Sequence, residues 1–85
     1  MFVYLLRSQS NPDQTYIGLS SNVLARLNEH NDGKSPHTSK FCPWRLEGYV
    51  WFSDDQKARK FERYLKSGSG RAFQERHFRQ VSKVA

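Results

Sequence analysis

Five side chains in this sequence have the types and spacings from which phosphate chemistry can be built: Tyr4, Tyr16, Arg26, His30 and Glu62. The two phenols stand on neighbouring apolar segments and share one parity. They point to the same side of a sheet if the pairing register also has an even sum. Taken singly, such a residue is more often a core aromatic with a satisfied hydroxyl. Arg26 and His30 are one helical turn apart and stack on one helix face. A guanidinium is a planar fork that matches phosphate oxygens, and a nearby imidazole orients a hydroxyl or a water. Their plain alternatives are a solvated charge and a surface imidazole. Glu62 is an isolated acid among Lys57, Arg59, Lys60, Arg63 and Lys66. Its plain role is an i,i+4 pair with Lys66. Its chemical role is as a ligand for Mg²⁺, which takes one or two protein carboxylates, waters and substrate phosphate oxygens. Gly18 closes the second apolar segment and removes a side chain where the backbone turns into a helix, as an ordinary turn glycine also does.

Other chemistries lack their residues. His30, His37 and Cys42 do not match zinc spacing, and a second cysteine is missing. No serine stands in a nucleophile-elbow context, and Gly68-Ser69-Gly70 lacks the lysine and preceding strand of a phosphate loop.

The elements that must position these groups follow from pattern. Phe2-Val3-Tyr4-Leu5-Leu6 reads as a buried strand and Thr15-Tyr16-Ile17-Gly18 as a second, joined by a polar turn around Asn11-Pro12. Their short connection predicts an antiparallel hairpin. Ser20, Ser21 or Asn22 caps a helix running to about His30 and closed by Asn31-Asp32-Gly33. Val23, Leu24 and Leu27 form its expected sheet-facing side, with Arg26 flanking it and His30 on another face. A basic loop with Pro36 and Pro43 leads to a third strand over Leu46 to Phe52. Asp54 or Ser53 caps a second helix with Ala58, Phe61 and Leu65 inward. Lys66-Ser67-Gly68-Ser69-Gly70 is expected to break it before a third helix from Arg71 to about Gln80. The predicted fold is α+β, order β-β-α-β-α-α: a small three-stranded antiparallel sheet flanked by helices.

With 85 residues the chain is expected to form a single domain over 1–85 with a modest core. Hydrophobic residues at 36% and aromatics at 14% argue against disorder. Fourteen Lys/Arg against eight Asp/Glu give a net charge of +6, which suits a polyanionic partner through counterion release. From Asp55 onward there are nine cations and three acids, so the phosphate-binding side is expected there. Cys42 is the single cysteine, which points to a reducing, cytoplasmic location. The apolar start stops at Arg7, too short for a signal core or a membrane span. No membrane partner is expected.

In combination these residues resemble the GIY-YIG nuclease superfamily. Phe2-Val3-Tyr4 is similar to its first half-motif, with Phe2 where the family has glycine, and Tyr16-Ile17-Gly18 is the second. Leu24 to Asn31 resembles the family's arginine helix, and Pro43-Trp44-Arg45-Leu46 the entry to its third strand. Ala58 to Gly68, followed by Gly70-Arg71, resembles its glutamate helix, as in small stand-alone bacterial members. The family's trailing polar residue, often Asn, has no placed counterpart here.

The resemblance implies a metal-dependent endonuclease that hydrolyses DNA phosphodiester bonds, RNA not being excluded, with one Mg²⁺ or Mn²⁺ ion. Tyr4 and Tyr16 become the active-site tyrosines, Arg26 the contact to the scissile phosphate, His30 the support for a tyrosine or the water, and Glu62 the metal ligand. Tyr4 is the first choice of general base, the two roles being exchangeable. Lys40, Arg59, Lys66 and Arg71 are expected to hold nucleic acid. So small a module reads backbone or structure rather than base sequence, unless homodimerisation or a protein partner adds specificity. DNA repair or recombination suits such an enzyme. The rival is a non-catalytic basic nucleic-acid-binding module with Phe41, Trp44 and Trp51 as stacking platforms.

Overall fold

A computed structural model describes residues 1–79. Strand β1 (Phe2–Ser8) lies at the centre of a three-stranded antiparallel sheet. Strands β2 (Thr15–Ser20) and β3 (Trp44–Trp51) flank it in the order β2-β1-β3. Helix α1 (Val23–Asn31) follows β2, a 3-10 turn (Ser39–Phe41) precedes β3, and helices α2 (Asp55–Leu65) and α3 (Gly68–His77) close the order. The α+β architecture is the one the sequence predicts.

An uninterrupted apolar run is what a strand covered on both faces requires. Val3 and Leu5 point to one side, where Ile17, Ala58 and Leu65 bury them beneath α2 and α3. Tyr4 and Leu6 point to the other, packing with Val23, Trp44, Tyr16 and Leu27 beneath α1. Tyr4 pairs with Gly18 and Leu6 with Tyr16, an even-sum register, so the two tyrosines share the α1 side.

Between Leu5 and Leu6 the register against β3 slips, Leu5 facing Gly48 and Leu6 facing Leu46. Glu47 is thereby the extra residue of a bulge, a device that re-aims a side chain. Its carboxylate receives Arg7 Nε at 2.9 and 3.0 Å, both residues being buried. Arg7 also donates to Pro12 O at 2.6 Å, which fastens the β1–β2 turn.

Four expectations need correction. Asn22 caps α1, as one of the three candidates, but Leu24 is 66% exposed; the inward side runs through Val23, Leu27 and the fully buried His30. Strand β3 begins at Trp44, because the Asn31 amide pairs with both backbone polar groups of Trp44 and draws it onto the sheet. Gly68 to Gly70 do not form a break: Ser67 caps α3 by accepting from Gly70 N, so the helix starts three residues early. Gly70 serves packing there, since a Cβ would fall 1.8 Å from Tyr64 O of α2. The third helix ends at His77, and Gln80, its expected end, lies outside the described residues.

Candidate active site

Edge strand β2 carries the first elements of the site. The Tyr4 ring crosses from β1 onto β2 and its hydroxyl sits directly above Gly18, where a Cβ would meet it at 2.5 Å. Gly18 is therefore required by the phenol that rests on it. Tyr16, one residue pair along, brings its ring to 6.1 Å from that of Tyr4 and 4.6 Å from the His30 imidazole. Helix α1 supplies the rest. Val23, Leu27 and His30 recur at helical spacing, and His30 is pressed into the sheet with 1% exposure.

His30 Nε2 meets the Tyr4 hydroxyl at 3.2 Å, and Nδ1 meets Thr38 Oγ1 at 2.8 Å. A self-consistent proton arrangement runs inward to outward. Thr38 donates to Ser35 O at 3.4 Å and accepts from His30 Nδ1–H, leaving Nε2 bare to accept from Tyr4. Thr38 is buried, and Trp44 Nε1 donates to its carbonyl at 2.9 Å. Sequence reasoning passed over Thr38; a hydroxyl in a basic loop, eight residues beyond the histidine, gives no local signal.

Arg26, one turn before His30, keeps a partly exposed guanidinium that pairs with Glu29 at 2.5 Å and lies beside the Tyr4 hydroxyl. The local field follows from these neighbours. Burial pushes the Tyr4 phenol above its ordinary value, and the Arg26 guanidinium offsets part of that rise. Burial also holds His30 below its usual range, Arg26 adding to the effect and Glu29 opposing it. The imidazole is thus kept neutral, a proton acceptor toward Tyr4.

Glu62 stands apart. It lies on α2, on the opposite sheet face, in the inward stripe between Ala58 and Leu65. Its side chain is 20% exposed, and Lys66 Nζ at 3.3 Å is its side-chain partner among the described residues. Four of the five predicted residues are thus gathered in one cluster. The two sheet faces meet around the free edge of β2, against which α2 also packs.

Among the described residues, no three His, Cys, Asp or Glu side chains stand together as a preformed metal cage. The donor set is one largely covered carboxylate whose lysine partner is solvent-exposed. That fits a divalent ion completed by waters and phosphate oxygens, with Glu62 as the protein ligand.

The expected nucleic-acid contacts divide. Lys66 and Arg71 line a cleft of about 620 Å³ that reaches Tyr16. Arg59 is exposed on α2, and Lys40 holds its ammonium over the Phe41 ring on the 3-10 turn. Of the three aromatic platforms that a binding module would use, Trp51 is exposed and Phe41 half-buried, but Trp44 is core. No described helix is long and apolar enough to cross a membrane.

Comparison with known proteins gives two matches. The family model described as the GIY-YIG catalytic domain matches residues 1–76. A protein of Giardia intestinalis named "Structure-specific endonuclease subunit SLX1 homolog" is 35% identical over 65 residues. That match covers 72% of this chain, which spans about a fifth of the relative's length, 18%.

Proposed function

This chain belongs to the GIY-YIG catalytic domain family, a nuclease family acting on phosphodiester bonds, and we propose that it is an endonuclease cutting DNA with one Mg²⁺ or Mn²⁺ ion. The observation that carries this reading is the cluster of two phenols, a neutral imidazole and a guanidinium at the free edge of one strand. Such a cluster offers cationic and hydrogen-bonding groups where pentavalent phosphorus develops charge.

In this mechanism a water attacks phosphorus in line with the leaving oxygen. Arg26 contacts a non-bridging oxygen of the scissile phosphate. Tyr16, half-buried where Tyr4 is fully covered, acts as the phenolate that takes the water's proton and ends as the neutral phenol. Burial works against the other assignment, with Tyr4 as base, since it keeps that phenol protonated. Tyr4 then orients, held by His30 on one side and facing Arg26 on the other. Glu62 would hold the divalent ion, which when bound would supply positive charge to the phosphate and the departing oxygen.

The relative's name, a structure-specific endonuclease subunit, supports a substrate selected by its structure and a partner that adds specificity; a repair role suits such an enzyme. Lys40, Arg59, Lys66 and Arg71 hold the backbone, with little base readout, in a domain taken as residues 1–85 and placed in the cytoplasm. The test is nicking of supercoiled plasmid and cutting of flap and junction DNA, with and without chelator, beside Arg26→Ala. Chelator-resistant cutting, or a fully active Arg26→Ala, refutes the proposal.

A further inference from the structure

The cleft beside Tyr16 has a composition of its own. Its floor is Ile17 and Leu65, and its cations are Lys66 and Arg71. One wall is the buried Arg7, whose charge is matched by Glu47 and whose bond to Pro12 O holds the wall rigid. Gln74, only 6% exposed, also lines the cleft.

Gln74 fixes its own orientation by donating Nε2 to Leu65 O at 2.7 Å. Its Oε1 has no partner among the described residues, yet no fully buried side-chain oxygen among them goes without one. That oxygen therefore keeps an open side, and Gln74 is a lining residue of the cleft. A lone acceptor on an immobile side chain calls for a ligand with a planar N–H edge. An apolar floor takes a flat ring or a sugar, and Arg71 with Lys66 takes one phosphate. Asp13 and Glu75 at the same cleft disfavour a second anion. About 620 Å³ lies within the range of sites that hold small molecules.

We propose that this cleft receives one unpaired nucleotide, the neighbour of the bond that is cut; the inference rests on the nuclease reading above. Two groups of that reading adjoin it, Tyr16 as a lining residue and Glu62 through its pair with Lys66. A paired base spends its Watson–Crick N–H edge on its partner and, while stacked, cannot lie on the apolar floor, so the cleft selects DNA whose strand is single at that point.

The direct test compares flap substrates that are intact or abasic at the first unpaired nucleotide. The abasic substrate is expected to raise KM about tenfold with kcat little changed, and Gln74→Met is expected to erase that difference. Equal KM for both substrates with the wild-type protein overturns the proposal. A nuclear magnetic resonance titration with a deoxynucleoside monophosphate needs no cleavage. Shifts at the Gln74 side-chain amide and Arg71 support the cleft even if no substrate is cut, in which case the nuclease reading alone fails. No shift at either residue overturns the cleft. A titration by ribose-5-phosphate that moves the same signals equally also overturns it, since a sugar phosphate carries no base edge.

Discussion

The hydroxyl of Tyr4 rests on Gly18, so closely that a methyl group there would lie 2.5 Å from the phenol oxygen. Gly18→Ala is therefore expected to push the ring off its seat. Overpacking of this kind costs roughly 1–3 kcal/mol, and the displaced hydroxyl loses His30. The expected result is a lowered Tm with loss of cleavage. An alanine variant as active as the parent shows that the seat is not needed.

Thr38 anchors the far nitrogen of His30 at 2.8 Å. Thr38→Val removes the acceptor and leaves a buried N–H unpaired, a cost of about 1–3 kcal/mol. Thr38→Ser keeps the oxygen and is expected to restore function. If His30 positions Tyr4 for catalysis, the valine variant loses roughly a hundredfold in kcat with KM little changed. ¹⁵N shifts of the imidazole read the tautomer directly, and a Nδ1–H form unaltered in the valine variant counts against the hydrogen-bond chain.

Acid should act through His30. Its folded pKa is lowered, burial being the main cause, whereas the unfolded imidazole titrates at about 6.5. Above that value both states are neutral. As pH falls below it, the unfolded chain binds a proton that the folded chain refuses, and stability drops until pH passes the folded value. Urea midpoints between pH 7.5 and 5 are expected to fall more steeply for the wild type than for His30→Gln. Parallel curves would remove this role.

Glu62 carries the metal in the proposed mechanism, and among the described residues its polar side-chain partner is the solvent-exposed Lys66, a pair worth little to stability. Glu62→Gln should leave the fold melting within a few degrees of the wild type and abolish Mg²⁺-dependent nicking. Retained nicking assigns the ion to other residues.

The buried Arg7–Glu47 pair makes the opposite prediction. Glu47→Gln leaves a guanidinium buried at 3% exposure without its counter-charge, and breaking such a pair costs about 3–5 kcal/mol. Chemical denaturation that detects no loss contradicts the role given to the bulge.

Where periodicity is strong, sequence and structure agree. The buried first strand, its hairpin with the second and the inward stripe of α2 are present as read, and the register left open by the sequence has the even sum that puts both tyrosines on one side. The failures share one cause, long-range contact. His30 looked peripheral because α1 has few apolar residues, and it is buried through Tyr4, Tyr16 and Thr38, which come from other segments. Gly68 and Gly70 looked like a break, because the close approach of α3 to α2 that calls for Gly70 leaves no local mark. Glu47 was invisible as an inward charge, since alternation cannot foresee a bulge.

Strand β2, finally, is an outer strand, and the tyrosines and Arg26 gather beside its unpaired margin rather than inside a tunnel. A centre placed on a rim needs no free terminus to be threaded into it. On the proposed reading, closed circles and continuous strands are then as approachable from the side as broken ones, which is the geometry that internal cutting demands.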